Sequence, residues 1–175
     1  MDVVIGLATI TLDPRDGHAV AIFLHAPSGR CLPLWVDDID AAALAGASRG
    51  EQLSSSSSAA LTWAAIRACG GAIDRIELHR VHGGVLRAAV VVVGAFGPVT
   101  LPARASTAAA LASLSGAPLL VDDGLLAQVH ARLQEAAARV GHDDGVDAPA
   151  IQTATERWNQ LLAHMADRLV DERPS

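Results

Sequence analysis

The sequence contains no lysine and no tyrosine, and it has only two cysteines in 175 residues. Its basic residues are therefore all arginines, and they are outnumbered by acidic residues, which gives a formal net charge of −6. Sequence-independent binding of nucleic acid depends on basic surface, so the net charge gives no support to nucleic acid as a partner. A nucleic-acid role would need a local arginine patch or a bridging metal ion.

No apolar run is long enough to cross a bilayer, because the longest uncharged stretch, 105–121, contains serine, threonine and a Gly-Ala-Pro break. The N-terminus lacks the positive n-region of a signal peptide, so we expect no membrane association and a cytoplasmic location. Cys31 and Cys69 are isolated from each other, and we expect both to be reduced core residues.

Charged residues are also scarce, at 18% of the chain, whereas hydrophobic residues make up 51%. This apolar content is sufficient for one sizeable core, and the length fits one domain. A surface with so few charges indicates that part of it is covered by a second subunit. We therefore expect a homodimer.

Alternation of apolar residues and turn signals predict strands interleaved with helices, and hence an α+β fold with a mixed, largely antiparallel sheet and packed helices. Gly83 and Gly84 indicate a two-residue hairpin turn, and the run Val90–Val93 predicts a strand buried on both faces. The predicted strands are 3–11, 19–25, 31–36, 73–82, 85–93, 99–101 and 118–121, and the predicted helices are 37–48, ended by Gly50, then 59–68, 106–115 and 124–140.

The chain divides into a domain over 1–140, a polar linker over 141–150, and a C-terminal amphipathic helix and tail over 151–175. Helical spacing places five apolar side chains of the last segment on one face: Trp158, Leu161, Leu162, Met165 and Leu169. This stripe is typical of a helix that docks on its own domain or on its twin. A helix that binds another partner is the alternative.

One internal similarity is visible between residues 40–48 and residues 107–115. Both segments are rich in alanine, and each follows a predicted strand. If the similarity is structural, a strand–helix unit occurs twice, and Asp40 and Thr107 hold equivalent places at the two helix starts.

Acidic residues gather at two predicted helix starts. Asp37, Asp38 and Asp40 precede or open one helix, where they can hold a metal ion or act as an N-cap in a favourable dipole. Asp122 and Asp123 present the same two alternatives before another helix, and there the cap is the stronger interpretation.

Arg104 lies between a predicted strand and the helix that begins near Ser106. An arginine facing a helix N-terminus suits a phosphate or another anion, and an ion pair with an acid such as Asp40 is the alternative. Ser106 is most simply the N-cap of this helix. It is a candidate nucleophile only if a base lies beside it.

Arginines also surround the predicted hairpin at Arg75, Arg80 and Arg87. They form either a basic edge or the solvated side chains that protect edge strands from pairing. His79 and His82 point to opposite faces of a strand, so we do not expect them to share a metal.

Several stretches stand together in one order and spacing: Leu32-Pro33-Leu34-Trp35-Val36-Asp37, Asp40-Ala41-Ala42-Ala43-Leu44, Ala103-Arg104-Ala105-Ser106-Thr107-Ala108-Ala109-Ala110-Leu111-Ala112 and Gly116-Ala117-Pro118-Leu119-Leu120-Val121. In this register the chain resembles the bifunctional nuclease (BFN) domain family. The resemblance extends from the N-terminus to about residue 135. It implies a BFN-like domain followed by a C-terminal helix.

The resemblance also implies an activity, the hydrolysis of phosphodiesters in RNA or DNA, assisted by Mg²⁺ or Mn²⁺. It carries over Asp40, Arg104 and Ser106 as candidate catalytic residues, with Asp40 as the candidate metal ligand. The chain departs from the family pattern at Ala59 and Thr107, where the family has His and Asp. We therefore expect a weak or impaired nuclease, and the alternative is an inactive homodimeric domain with a structural or binding role.

Overall fold

The computed structural model describes residues 1–12, 17–49, 57–80 and 85–140. Within these ranges the strands are β1 (Asp2–Leu12), β2 (Ala19–His25), β3 (Arg30–Val36), β4 (Ala72–Arg80), β5 (Leu86–Gly94), β6 (Gly97–Arg104) and β7 (Leu119–Asp122). The helices are α1 (Asp38–Ser48), α2 (Ser58–Ala68), α3 (Ala105–Ser115) and α4 (Asp123–Val140).

The seven strands form a single sheet in the order β3-β2-β1-β7-β4-β5-β6. Strands β1 to β3 form one antiparallel meander and β4 to β6 form another. Strand β7 lies between the two meanders, antiparallel to β1 and parallel to β4. The fold is α+β with a mixed, mostly antiparallel sheet, as predicted.

Helices cover both faces of the sheet, and the alternation of strand side chains separates the two layers. On β2, Ala21 and Phe23 join the large core that includes residues of α1, α2 and α3. The intervening Val20 and Ile22 form a smaller cluster with Leu133 of α4. Because successive side chains of a strand point to opposite faces, α4 packs on the face opposite to α1–α3.

The two meanders are followed by equivalent helices, α1 after β3 and α3 after β6. Since β1 and β4 run in opposite directions on either side of β7, the two units are related by an approximate two-fold rotation. Asp40 and Thr107 are each the third residue of their helix, which confirms the equivalent positions indicated by the sequence. Of the described helices, none has the length and apolar character that a bilayer crossing requires.

Three details of the sequence-based interpretation are wrong. Strand β6 spans Gly97–Arg104 rather than 99–101, because it pairs with β5 over its whole length. Val93 is 41% exposed, so only the first part of the valine run is buried on both faces. Cys69 is exposed, because it caps the C-terminal end of α2 at the surface, whereas Cys31 is buried as expected.

Other predictions fall outside the described residues. These are the helix stop at Gly50, the turn at Gly83-Gly84, the linker 141–150 and the amphipathic segment 151–175. Helix α1 ends at Ser48, and Arg49 is its C-cap.

Candidate functional site

The first turns of α1 and α3 meet at a polar contact between Asp40 and Thr107. The hydroxyl of Thr107 donates a hydrogen bond to Oδ2 of Asp40 at 3.1 Å. Asp40 is only 2% exposed and lies among the largest fully buried side chains of the described residues. A carboxylate withdrawn from water this far needs hydrogen-bond donors, and Thr107 supplies one.

The other acids of this segment do not converge on Asp40. Asp37 is the N-cap of α1, and its Oδ1 accepts a hydrogen bond from the backbone N–H of Asp40 at 2.7 Å. Asp38 is exposed in the first turn, where its charge suits the helix dipole. The cap interpretation therefore holds for Asp37.

The donor atoms around Asp40 do not fit a divalent metal. Mg²⁺ requires near-octahedral oxygen coordination and is usually bound by one or two carboxylates together with waters and substrate phosphates. Asp40 offers one buried carboxylate facing a hydroxyl that already donates to it. Across the described ranges, no group of three His, Cys, Asp or Glu residues is placed to hold a metal ion.

The second acidic pair also acts structurally. Oδ1 of Asp122 accepts a hydrogen bond from the backbone N–H of Leu125 at 2.9 Å, which caps α4. That bond is the main reason that the pKa of Asp122 lies below its ordinary value. Asp123 forms an ion pair with Arg30 of β3 and so ties the start of α4 to the sheet.

Ser106 is not the N-cap of α3. Arg104 occupies the cap position, and its side chain makes no capping hydrogen bond. Ser106 lies within the first turn and is 7% exposed. No histidine or carboxylate of the described residues hydrogen-bonds to its hydroxyl, so the base that a nucleophilic serine requires is missing there.

Arg104 lies on the sheet face opposite to the Asp40 contact. Ala103 pairs with Ala88, which is buried in the core beneath the helices. The side chain of the next residue, Arg104, therefore points to the other face. Within the described part of the chain Arg104 forms no ion pair, so the alternative of a pair with Asp40 is not realised.

Three side chains with N–H groups form a row on that opposite face, which we call the cationic row after its two arginines: His79 of β4, Arg87 of β5 and Arg104 of β6. His79 is the register partner of Arg87, and Arg87 is the register partner of Arg104. Directly paired residues share a face of the sheet, so the three side chains are adjacent. They line an open depression of about 620 Å³ together with Ala88, Ala89, Thr100, Pro102 and Ala103.

The structure therefore separates the residues that the sequence grouped together. Asp40 and Ser106 lie in the helical layer, whereas Arg104 belongs to the cationic row. The sequence alone did not predict that His79 and Arg87 lie beside Arg104, because this adjacency depends on strand register.

Comparison with known proteins gives one family match. The family model described as the bifunctional nuclease domain matches residues 22–134, from within β2 to the middle of α4. No curated protein matches the chain.

Proposed function

The chain belongs to the bifunctional nuclease domain family, whose model covers more than half of its length, and from that membership we propose that it is a weak hydrolase of phosphodiester bonds in RNA or DNA. The family supplies the reaction class. The surroundings of Asp40 supply the reason for weak activity.

The observation that carries this proposal is the pairing of Asp40 with a hydroxyl. Phosphodiester hydrolysis needs an activated water and groups that stabilise the charge of the transition state. Thr107 donates a hydrogen bond to Asp40 and is not an anionic ligand. Because the donor set does not fit Mg²⁺ or Mn²⁺, no step of the proposal passes through a metal ion.

Two further features support low activity. Asp40 is 2% exposed, so a nucleic-acid strand has little access to its carboxylate. Ala59, where the resembled pattern has His, is 0% exposed, so an imidazole at that position would need space that the core does not provide. A lost general base typically lowers the rate by about 10²- to 10⁴-fold.

The test is a nuclease assay on single- and double-stranded RNA and DNA, each with Mg²⁺, with Mn²⁺ and with a chelator. We expect slow cleavage by the natural chain. Thr107→Asp places two carboxylates side by side, which is the arrangement that divalent cations prefer, and it should raise metal-dependent cleavage. Thr107→Asn is the matched control, since asparagine has the size of aspartate without its charge.

Two results would contradict the proposal. Brisk cleavage by the natural chain would show that the active site lies elsewhere. Unchanged cleavage after Asp40→Asn, which keeps the shape of the side chain and removes its charge, would exclude Asp40 from the reaction.

A second candidate is an inactive homodimeric domain that retains the fold in a structural or binding role. It is favoured by the burial of Asp40 and by the separation of Arg104 from it. It predicts no turnover in the natural chain or in Thr107→Asp, with both proteins folded and dimeric.

A further inference from the structure

We propose that the cationic row of His79, Arg87 and Arg104 is a binding site for phosphate oxyanions, presented by a nucleic-acid backbone or by a free phosphate group. The site lies on the sheet face opposite to Asp40. It is therefore independent of the proposed hydrolysis and can be tested whether or not the chain cleaves anything.

Arg87 and Arg104 form the type of cross-strand pair in which the two side chains approach each other most closely. Pro98 and Pro102 of β6 lack an N–H group, and proline is accepted in an edge strand where its nitrogen faces away from the neighbouring strand. Every second residue of β6, counted from Pro98 to Arg104, has the same backbone orientation as the two prolines. Arg104 and Arg87 therefore form a non-hydrogen-bonded pair. In such pairs the Cα atoms are only about 4.5 Å apart and the side chains approach most closely.

Like charges directly opposite each other destabilise a sheet. Arg87 and Arg104 are both exposed, yet neither forms an ion pair within the described residues. The acid on the same face of β4, Glu77, lies two positions before His79 and accepts a hydrogen bond from Nε of Arg75 at 2.6 Å. The two guanidinium groups thus remain available in a chain whose net charge is −6.

The surroundings of the row suit a phosphate group. Small side chains, Ala89 and Thr100 among them, line the depression, and they leave the guanidinium groups accessible from solvent. A guanidinium offers parallel N–H donors that match two oxygens of one phosphate, and two opposed guanidinium groups can share the charge of one anion. A bound oxyanion converts the repulsion between the arginines into two attractive contacts.

The first experiment measures binding of a labelled single-stranded oligonucleotide by fluorescence anisotropy in chelator, and gel electrophoresis of the recovered oligonucleotide checks that it is intact. The double variant Arg87→Gln/Arg104→Gln should weaken binding on the order of tenfold or more, as expected for loss of charge-assisted hydrogen bonds. The slope of log affinity against log salt should become shallower by about 0.7, since the two guanidinium groups share one phosphate and each phosphate contact to a single strand contributes about 0.7.

Arg80→Gln is the matched control. Arg80 is exposed and adjacent to His79 on β4, but it points to the other face of the strand. Arg80→Gln removes one positive charge from the same region, as each of the two substitutions in the double variant does, and it should leave binding unchanged. The melting temperature of the double variant should equal or exceed that of the natural chain, because the substitution removes a like-charge pair.

The second experiment identifies the source of the phosphate. Inorganic phosphate is titrated while the Nε–H signals of Arg87 and Arg104 are followed by NMR. Shifts of these signals together with oligonucleotide binding indicate a nucleic-acid backbone, and shifts without oligonucleotide binding indicate a free phosphate group. The proposal is overturned if neither probe engages the row, or if Arg80→Gln loses as much affinity as the double variant.

Discussion

Cys31 and Cys69 have the same side chain in opposite surroundings. Cys31 is 2% exposed, with its Sγ 3.5 Å from Nδ1 of His130, whereas Cys69 is exposed at the end of α2. Burial raises the pKa of the Cys31 thiol from 9.0 to about 11. Because the thiolate is the reactive form, the buried Cys31 should not react with a thiol reagent under conditions in which the exposed Cys69 does.

We predict that a thiol reagent at mildly alkaline pH labels one cysteine of the folded protein rapidly and the second only after denaturation. Cys69→Ser should abolish the rapid phase, and Cys31→Ala should leave it intact. The free energy of unfolding should also fall as pH rises from about 9 to 11, since the unfolded thiol loses its proton first. Rapid labelling of both thiols in the folded state would contradict this prediction.

Among the described helices, α2 has the fewest buried residues. Ala59 is buried, Trp63 and Ile66 pack partly against the core, and Leu61 is 69% exposed, so an N-cap is a larger share of what stabilises this helix. The hydroxyl of Ser57 accepts a hydrogen bond from the backbone N–H of Ala60 at 3.0 Å. Ser57 is thus the N-cap of α2.

We predict that Ser57→Ala lowers the free energy of unfolding by about 1 kcal/mol, the usual effect of removing such a cap. Ser58→Ala is the control, because Ser58 is exposed and its side chain does not cap the helix. Urea denaturation measures both. Equal stability of the two variants would show that the hydroxyl of Ser57 is dispensable.

Most elements were predictable because their signals are local. The continuous apolar run of β2 and the acids before α1 and α4 each identify an element without knowledge of the rest of the chain. The same locality explains why the caps at Asp37 and Asp122 were predicted, although Ser106 proved not to cap α3.

Register was not predictable. A two-residue turn at Gly83-Gly84 would pair Arg80 with Arg87, whereas the structure pairs Arg80 with Leu86 and His79 with Arg87. A shift of one residue moves every side chain of a strand to the other face of the sheet. The cationic row could not be assembled from the sequence for this reason.

At the scale of the whole molecule, the β6 end of the sheet affects how two copies of the chain can associate. Pro98 and Pro102 lack two of the N–H groups that β6 would otherwise offer to an added strand. Exposed apolar side chains remain on the same hairpin, where Phe96 is fully exposed and Leu101 is 43% exposed. A second subunit would therefore have to cover apolar surface by side-chain packing rather than extend the sheet through β6.

We predict a homodimer, on the basis of the low charged fraction and this exposed apolar surface. Light scattering coupled to size-exclusion chromatography at micromolar concentration measures the mass directly. Added salt should not dissociate the dimer, because apolar burial is insensitive to ionic screening. A monomeric mass across the concentration range would refute the prediction.

Strand β7 is short, yet it alone joins the two meanders of the described sheet. Its four residues pair with the start of β1, which lies far away in the sequence, and three of them pair with β4. During synthesis each meander can form from neighbouring residues, but the facing edges of β1 and β4 stay open until Leu119–Asp122 has left the ribosome. Closure of the sheet is thus a late, long-range step, and the nascent chain is most exposed to mispairing just before it.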